Sequence, residues 1–151
     1  YPADVMQGRK VMHYSEVLDQ LIQSGQLKLS RKLDFKVTYH DPCYLSRYNE
    51  VYDPPRRVIQ ATGCEIIEMP RNRENGFCCG AGGGRIYLDE EVKAERPSEN
   101  RIREAAALNE VTRFIVTCPK DYTMFQDAVK TTSLEEKLKV LDLIDLVTEA
   151  L

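Results

Sequence analysis

No stretch of this 151-residue chain stays apolar long enough to cross a bilayer, so direct membrane insertion by this segment is not expected. Positive charge is not in excess: 21 Lys and Arg stand against 24 Asp and Glu, a formal net charge of -3. That balance leaves no basic footprint for a nucleic acid. Neither a low-complexity tract nor an internal repeat interrupts the chain. The first residues show no basic segment followed by an apolar stretch, so no secretory signal is expected in them. Tyr1-Pro2-Ala3-Asp4 lacks an initiator Met and leads at once into ordinary folded sequence, so a segment of a longer chain or a processed N-terminus is expected. Cysteine is scarce: five residues, too few and odd in number for a disulfide scaffold. A reducing, cytoplasmic setting in which thiolates serve metal or catalysis fits that count better.

What is there is an ordinary globular balance, 42% hydrophobic and 30% charged, in a length that suits one domain over residues 1–151. Two of the cysteines are adjacent. Cys78-Cys79 opens the run Cys78-Cys79-Gly80-Ala81-Gly82-Gly83-Gly84, with Asp41-Pro42-Cys43 upstream and Cys118-Pro119-Lys120-Asp121 downstream. Neighbouring side chains point in different directions on helix or strand, so an adjacent pair rarely serves packing.

The pattern alternates between strand and helix. Ser15 is expected to cap a helix through Leu18, Leu21 and Ile22 that stops at Gly25. Strands are expected at 36–40, 64–69, 113–117 and 138–141. Helices are expected from Pro54-Pro55 to Gly63, from Ser98 or Asn100 through Leu108, from Pro119 through Ala128, and from an Asp142 cap to Leu151. This order predicts an α/β fold with a parallel sheet of about four strands and helices on both faces. Cys43 then follows the first strand by a few residues, Cys78-Cys79 follow the second through a loop, and Cys118 follows the third directly. Ligands of open parallel sheets gather beyond the carboxyl ends of the strands, so four thiols are expected at one sheet edge.

The cysteine spacing is too long for zinc fingers or ferredoxins, which use short local gaps. It resembles the cysteine-rich CCG domain family, whose pattern is one Cys, a long gap, Cys-Cys-Gly, a long gap and Cys-x-x-Cys. His40-Asp41-Pro42-Cys43-Tyr44-Leu45, the Cys78–Gly84 run and Cys118-Pro119 carry the likeness, which extends from Val37 to Ala128. The family includes the catalytic subunit of heterodisulfide reductase and iron–sulfur subunits of other oxidoreductases. The resemblance implies a [4Fe–4S] cluster, non-cubane in some members, held by Cys43, Cys78, Cys79 and Cys118. It implies an electron-transfer domain, the C-terminal CCG domain of a larger iron–sulfur oxidoreductase, not active alone. Its partners would be upstream domains of the same polypeptide and ferredoxin-like or flavoprotein redox subunits, with any membrane association made through the parent protein.

Thiolates are soft donors suited to iron, and Gly80, Gly82 and Gly83 lack the Cβ that would keep backbone away from cluster sulfides. One position departs from the family pattern: Asp121 stands where the last motif usually has its second Cys. Asp121 is either a fifth, harder metal ligand or the carboxylate that caps the turn begun by Cys118. Cys64 reads as a packed core thiol. His40 reads as a strand-end hydrogen-bonding residue, with a ligand or outer-sphere role as the alternative, and His13 as a helix-start residue. Arg47 and Arg85 are basic residues whose side-chain positions the sequence leaves open. Asp89-Glu90-Glu91 reads as a solvated face. Two rival functions remain: an assembly module with a degenerate or zinc-binding Cys/Asp site, and a metal-free thiol redox domain. The second would use a Cys118 thiol made acidic by a helix N-terminus and a vicinal Cys78–Cys79 disulfide.

Overall fold

Strands β1 (Lys36–Tyr39), β2 (Glu65–Ile66), β3 (Arg113–Val116) and β4 (Lys139–Asp142) pair in the order β2-β1-β3-β4, every pair parallel. The computed structural model in which they are seen describes residue 8, residues 10–88 and residues 95–151. The Tyr1–Asp4 start and the Asp89-Glu90-Glu91 run lie outside the described residues. Register is set with Val37 opposite Ile66 and Arg113, and Phe114 opposite Val140.

Alternation along each strand sends neighbouring side chains to opposite faces and so builds two cores. Phe114, Val116 and Val140 join Ile102 and Ala105 of helix α3 (Pro97–Ala106) and Phe125, Ala128 and Val129 of helix α4 (Pro119–Thr131). Val37, Tyr39, Ile115 and Leu141 join the other core. Its outer wall is α1 (Tyr14–Gln23), α2 (Asp53–Ala61) and α5 (Leu143–Ala150). The result is three layers, helices on both faces of a parallel sheet, as the alternating pattern predicts.

Most element ends shift by one to three residues from the sequence reading, and two differences have an identifiable cause. The first helix is capped by His13, not Ser15: His13 Nδ1 accepts the Ser15 backbone N–H at 3.3 Å, and Glu16 Oε2 accepts the His13 backbone N–H at 2.9 Å. The second strand is cut to two residues. The Ile67 N–H still donates to Val37 O at 2.8 Å, but the chain then leaves the edge. Glu68 pairs with Arg56, and Met69 enters the core beside Cys79. Asp142 caps α5 as expected, accepting the Ile144 N–H at 3.0 Å.

Candidate metal centre

The centre is assembled at the carboxyl ends of β1 and β3. A hydrogen bond of 3.0 Å between Tyr39 Oη and Thr117 Oγ1, both inside the protein, ties these two strand ends together. Past Tyr39, the loop that carries Cys43 is held from below. Asp41 is buried and takes two hydrogen bonds from Arg56, of 2.8 and 2.9 Å, and a third from the Arg73 backbone at 2.7 Å. Ser46 Oγ donates to Pro42 O at 2.7 Å and closes the turn around Cys43.

The adjacent pair arrives through the loop after β2. Arg71 lies over the Phe77 ring at 4.0 Å, which seats the residue immediately before Cys78. The Gly80 backbone N–H donates to Cys78 Sγ at 3.4 Å. Gly80 has φ of +87°, and a Cβ there would meet the Pro97 ring at 3.1 Å, so this position admits only glycine without strain. Gly82 and Gly83 lie in an exposed 3₁₀ turn, Gly82–Tyr87, with no atom within 4 Å of where a Cβ would stand. Of the three glycines, Gly80 is the one whose amide faces a thiol in this structure. Arg47 donates to Gly76 O on the same loop, and Arg85 lies in the exposed turn.

Cys118 precedes α4 and Asp121 sits in that helix's first turn. Asp121 does not make the capping bond its position would allow. Its carboxyl is turned inward, 3% exposed, against the Cys79 thiol, and its Oδ2 has no hydrogen-bond partner among the described residues. His40 Nε2 lies 3.6 Å from that oxygen, longer than a hydrogen bond, and burial holds the imidazole neutral.

Electrostatic influence runs between several of these groups. Cys43 feels Cys78, Asp121 and Cys118; Cys79 feels Asp121 and Cys78; Cys118 feels Asp121. Burial and these neighbours push the Cys43, Cys79 and Cys118 thiols up, and burial pushes Asp121 up to about 6. For Cys118 this reverses the sequence expectation. The Asp121 and Lys120 backbone N–H groups pull its thiol down, but burial and the Asp121 charge outweigh them. All five cysteines are free thiols, so Cys78 and Cys79 are not joined. Among the described residues, no three His, Cys, Asp or Glu side chains already form a closed metal-binding group.

A cavity of about 570 Å³ opens at this edge, with Cys43, Cys118, Asp121, Pro42, Thr117 and His13 among its lining residues. Thiols pushed up by burial and by a nearby carboxylate, and a buried carboxyl with one oxygen unpartnered among the described residues, are the surroundings that a cationic metal group stabilises, because its charge favours every deprotonated donor at once. Cys64 lies in the other core, beside Val37 and Ile59, away from this set.

Three supports were not visible in the sequence reading: the Asp41–Arg56 clamp, buried Arg101, and His13. His13 Nε2 bonds Thr117 O at 3.1 Å and so latches the start of α1 to the residue before Cys118. An Asp directly after a predicted strand, two residues before a candidate ligand, was the one available signal for the first. The second and third depend on partners 61 and 104 residues away along the chain.

A family model described as a cysteine-rich domain, CCG, matches residues 37–126. The chain is 42% identical over 149 residues to the EtfAB:quinone oxidoreductase of Syntrophomonas wolfei subsp. wolfei, covering 94% of this chain and 21% of that protein. It is 40% identical over 151 residues to the probable iron-sulfur-binding oxidoreductase FadF of Bacillus subtilis, covering 99% of this chain and 21% of that protein. It is 37% identical over 149 residues to one subunit of the dihydromethanophenazine:CoB–CoM heterodisulfide reductase of Methanosarcina acetivorans, covering 94% of this chain and 34% of that protein. The chain thus spans between a fifth and about a third of the length of these relatives. No solved structure matches it.

Proposed function

The chain belongs to the CCG cysteine-rich domain family, and from that premise we propose that it is an iron–sulfur electron-transfer domain of a larger, heterodisulfide-reductase-like oxidoreductase. The donors are Cys43, Cys78, Cys79 and Cys118, with Asp121 as a fifth. The observation that carries this reading is that Cys43, Cys118 and Asp121 line one cavity at the sheet edge, with the Asp121 carboxyl against the Cys79 thiol and its Oδ2 without a hydrogen-bond partner among the described residues.

A [4Fe–4S] cluster bound there, cubane or non-cubane, would supply one-electron chemistry. The protein's part is to hold four sulfurs and one oxygen in place and to exclude water. Cys79 and Asp121 are almost wholly buried, which lowers the local dielectric around the centre. The Gly80 N–H bonds the Cys78 sulfur, and the Lys120 and Asp121 backbone N–H groups in the first turn of α4 favour the Cys118 thiolate. Such bonds to sulfur raise a cluster's reduction potential. The Asp41–Arg56 clamp fixes the loop of Cys43, and Tyr39–Thr117 fixes the separation of the two strand ends.

The relatives are named as oxidoreductases or part of a reductase, and each is several times longer than this chain. We therefore read residues 1–151 as one domain of such an assembly, relaying electrons between other domains of its polypeptide and ferredoxin-like or flavoprotein partners. Gly82 and Gly83, exposed in this structure, belong to the proposed surroundings of the cluster only if their turn folds inward on loading.

The test compares Cys79→Ala with Cys64→Ala after anaerobic reconstitution with iron and sulfide. Cys79→Ala loses most of its bound iron and Cys64→Ala keeps the wild-type amount. Equal iron in the two variants contradicts the donor assignment.

A further inference from the structure

A line of buried polar contacts runs from α3 to the centre and ends just short of it. Arg101 is fully buried, 0% exposed, which is exceptional for a guanidinium. Its Nη1 donates to Glu104 Oε2 at 2.9 Å, and its Nε donates to His40 Nδ1 at 3.3 Å. Its Nη2 has no hydrogen-bond partner among the described residues. A guanidinium has no acceptor, so Nδ1 of His40 must offer its lone pair, and the neutral ring carries its proton on Nε2. The Phe125 ring, edge-on at 4.6 Å, and the Phe114 ring, stacked at 6.0 Å, fix the imidazole plane. That proton-bearing nitrogen is the one 3.6 Å from Asp121 Oδ2. A buried donor and a buried unpartnered acceptor therefore face each other across a gap slightly too wide for a bond.

We propose that His40, locked in this tautomer by Arg101, is the positioning residue for Asp121: with a cation held at the centre, one carboxylate oxygen turns to it and the His40 Nε2–H holds the other. The proposal rests on the reading of Asp121 as a donor to the cluster. Carboxylates that ligate metals are themselves held by outer hydrogen bonds, and these orient the ligand and tune its basicity. Arg71 shares Glu104 with Arg101, through bonds of 2.6 and 2.9 Å, so two cations and one anion leave positive charge behind the centre. His40 is thus assigned an outer-sphere role: Nδ1 is committed to Arg101 and Nε2 carries the proton.

The experiment uses the full chain, reconstituted anaerobically with iron and sulfide, and reads the midpoint potential and the electron paramagnetic resonance spectrum of the reduced protein. His40→Leu removes the donor and is expected to lower the potential and change the spectrum, because the ligating carboxylate becomes more electron-rich. His40→Gln, whose amide N–H can replace Nε2–H, is expected to restore both toward wild type. In an Asp121→Asn background His40→Leu is expected to have no further effect. If leucine prevents folding, as read by circular dichroism, His40→Asn, with an amide too short to reach Asp121, takes its place in the same comparison. A folded, iron-loaded His40→Leu or His40→Asn protein with wild-type potential and spectrum overturns the proposal, and so does an equal shift in the Asp121→Asn background. Wild type that binds no iron overturns the iron–sulfur reading itself and this inference with it, so the two failures are told apart.

Discussion

Arg56 grips Asp41 through two parallel hydrogen bonds, of 2.8 and 2.9 Å, and both side chains are buried. The same guanidinium bonds Glu68 at 2.6 Å and the Tyr52 carbonyl at 2.7 Å, so one side chain joins the loop of Cys43, the start of α2 and the segment that leads from β2 toward Cys78. Removing one partner of a buried pair leaves the other charge uncompensated, at a cost of roughly 3–5 kcal/mol. Arg56→Met is therefore expected to lower the unfolding free energy by about that amount, measured by urea denaturation. A loss within about 0.5 kcal/mol, the range of an ordinary surface substitution, would show that the clamp does not hold the loop.

The glycines of the motif are not equivalent. Alanine at Gly80 would have to adopt φ near +87° and press on Pro97, whereas alanine at Gly82 meets nothing within 4 Å. The left-handed conformation alone costs roughly 1–2 kcal/mol for a residue with a Cβ. Gly80→Ala is expected to lower the thermal midpoint of the metal-free protein clearly and Gly82→Ala hardly at all. Equal midpoints would remove the steric account of Gly80.

Asp121 separates ligation from capping. Its carboxyl makes no capping hydrogen bond, so Asp121→Ala is expected to bind less iron than wild type while its far-ultraviolet helical signal is unchanged. Full iron with a loss of helical signal would return Asp121 to the role of a cap.

Burial lowers the pKa of His13, against the opposing pull of its bond to the Thr117 carbonyl and of nearby Glu16 and Asp142. As the pH falls below about 6.5, the unfolded chain takes up a proton that the folded imidazole resists. Its contribution to stability is thus fully present above that pH and is lost as the pH falls toward the lowered folded value. Urea midpoints measured from pH 7.5 to 5.5 should fall less steeply for His13→Gln than for wild type, since the other titrating groups are common to both. Parallel slopes would place the imidazole in solvent.

The fold was legible because its cues are local. Arg113-Phe114-Ile115-Val116 reads as a strand without reference to anything else, Pro119 and Asp142 mark helix starts, and strict strand–helix alternation leaves a parallel sheet as the outcome. The expectation that Cys43, Cys78, Cys79 and Cys118 meet at one sheet edge came from that topology, and the structure puts Cys43 and Cys118 on the wall of one cavity there. What stayed hidden were contacts between residues far apart in sequence. Ser15 was the better capping residue by type, yet His13 takes the cap because its ring also reaches Thr117 on β3's far end. The acidity expected of Cys118 failed for a related reason: a helix N-terminus is visible in sequence, whereas the burial that overrides it is set by the whole fold. Nothing local in the sequence marks Arg101, and only its packing against His40 and Glu104 shows that it is interior.

The most direct measurement is iron and acid-labile sulfide analysis of the anaerobically reconstituted wild-type chain, together with its electron paramagnetic resonance spectrum before and after reduction. The account predicts iron and sulfide bound together in stoichiometric amounts, and a paramagnetic signal that responds to reductant. Zinc, or iron and sulfide far below one cluster per chain with no redox-dependent signal, would contradict it.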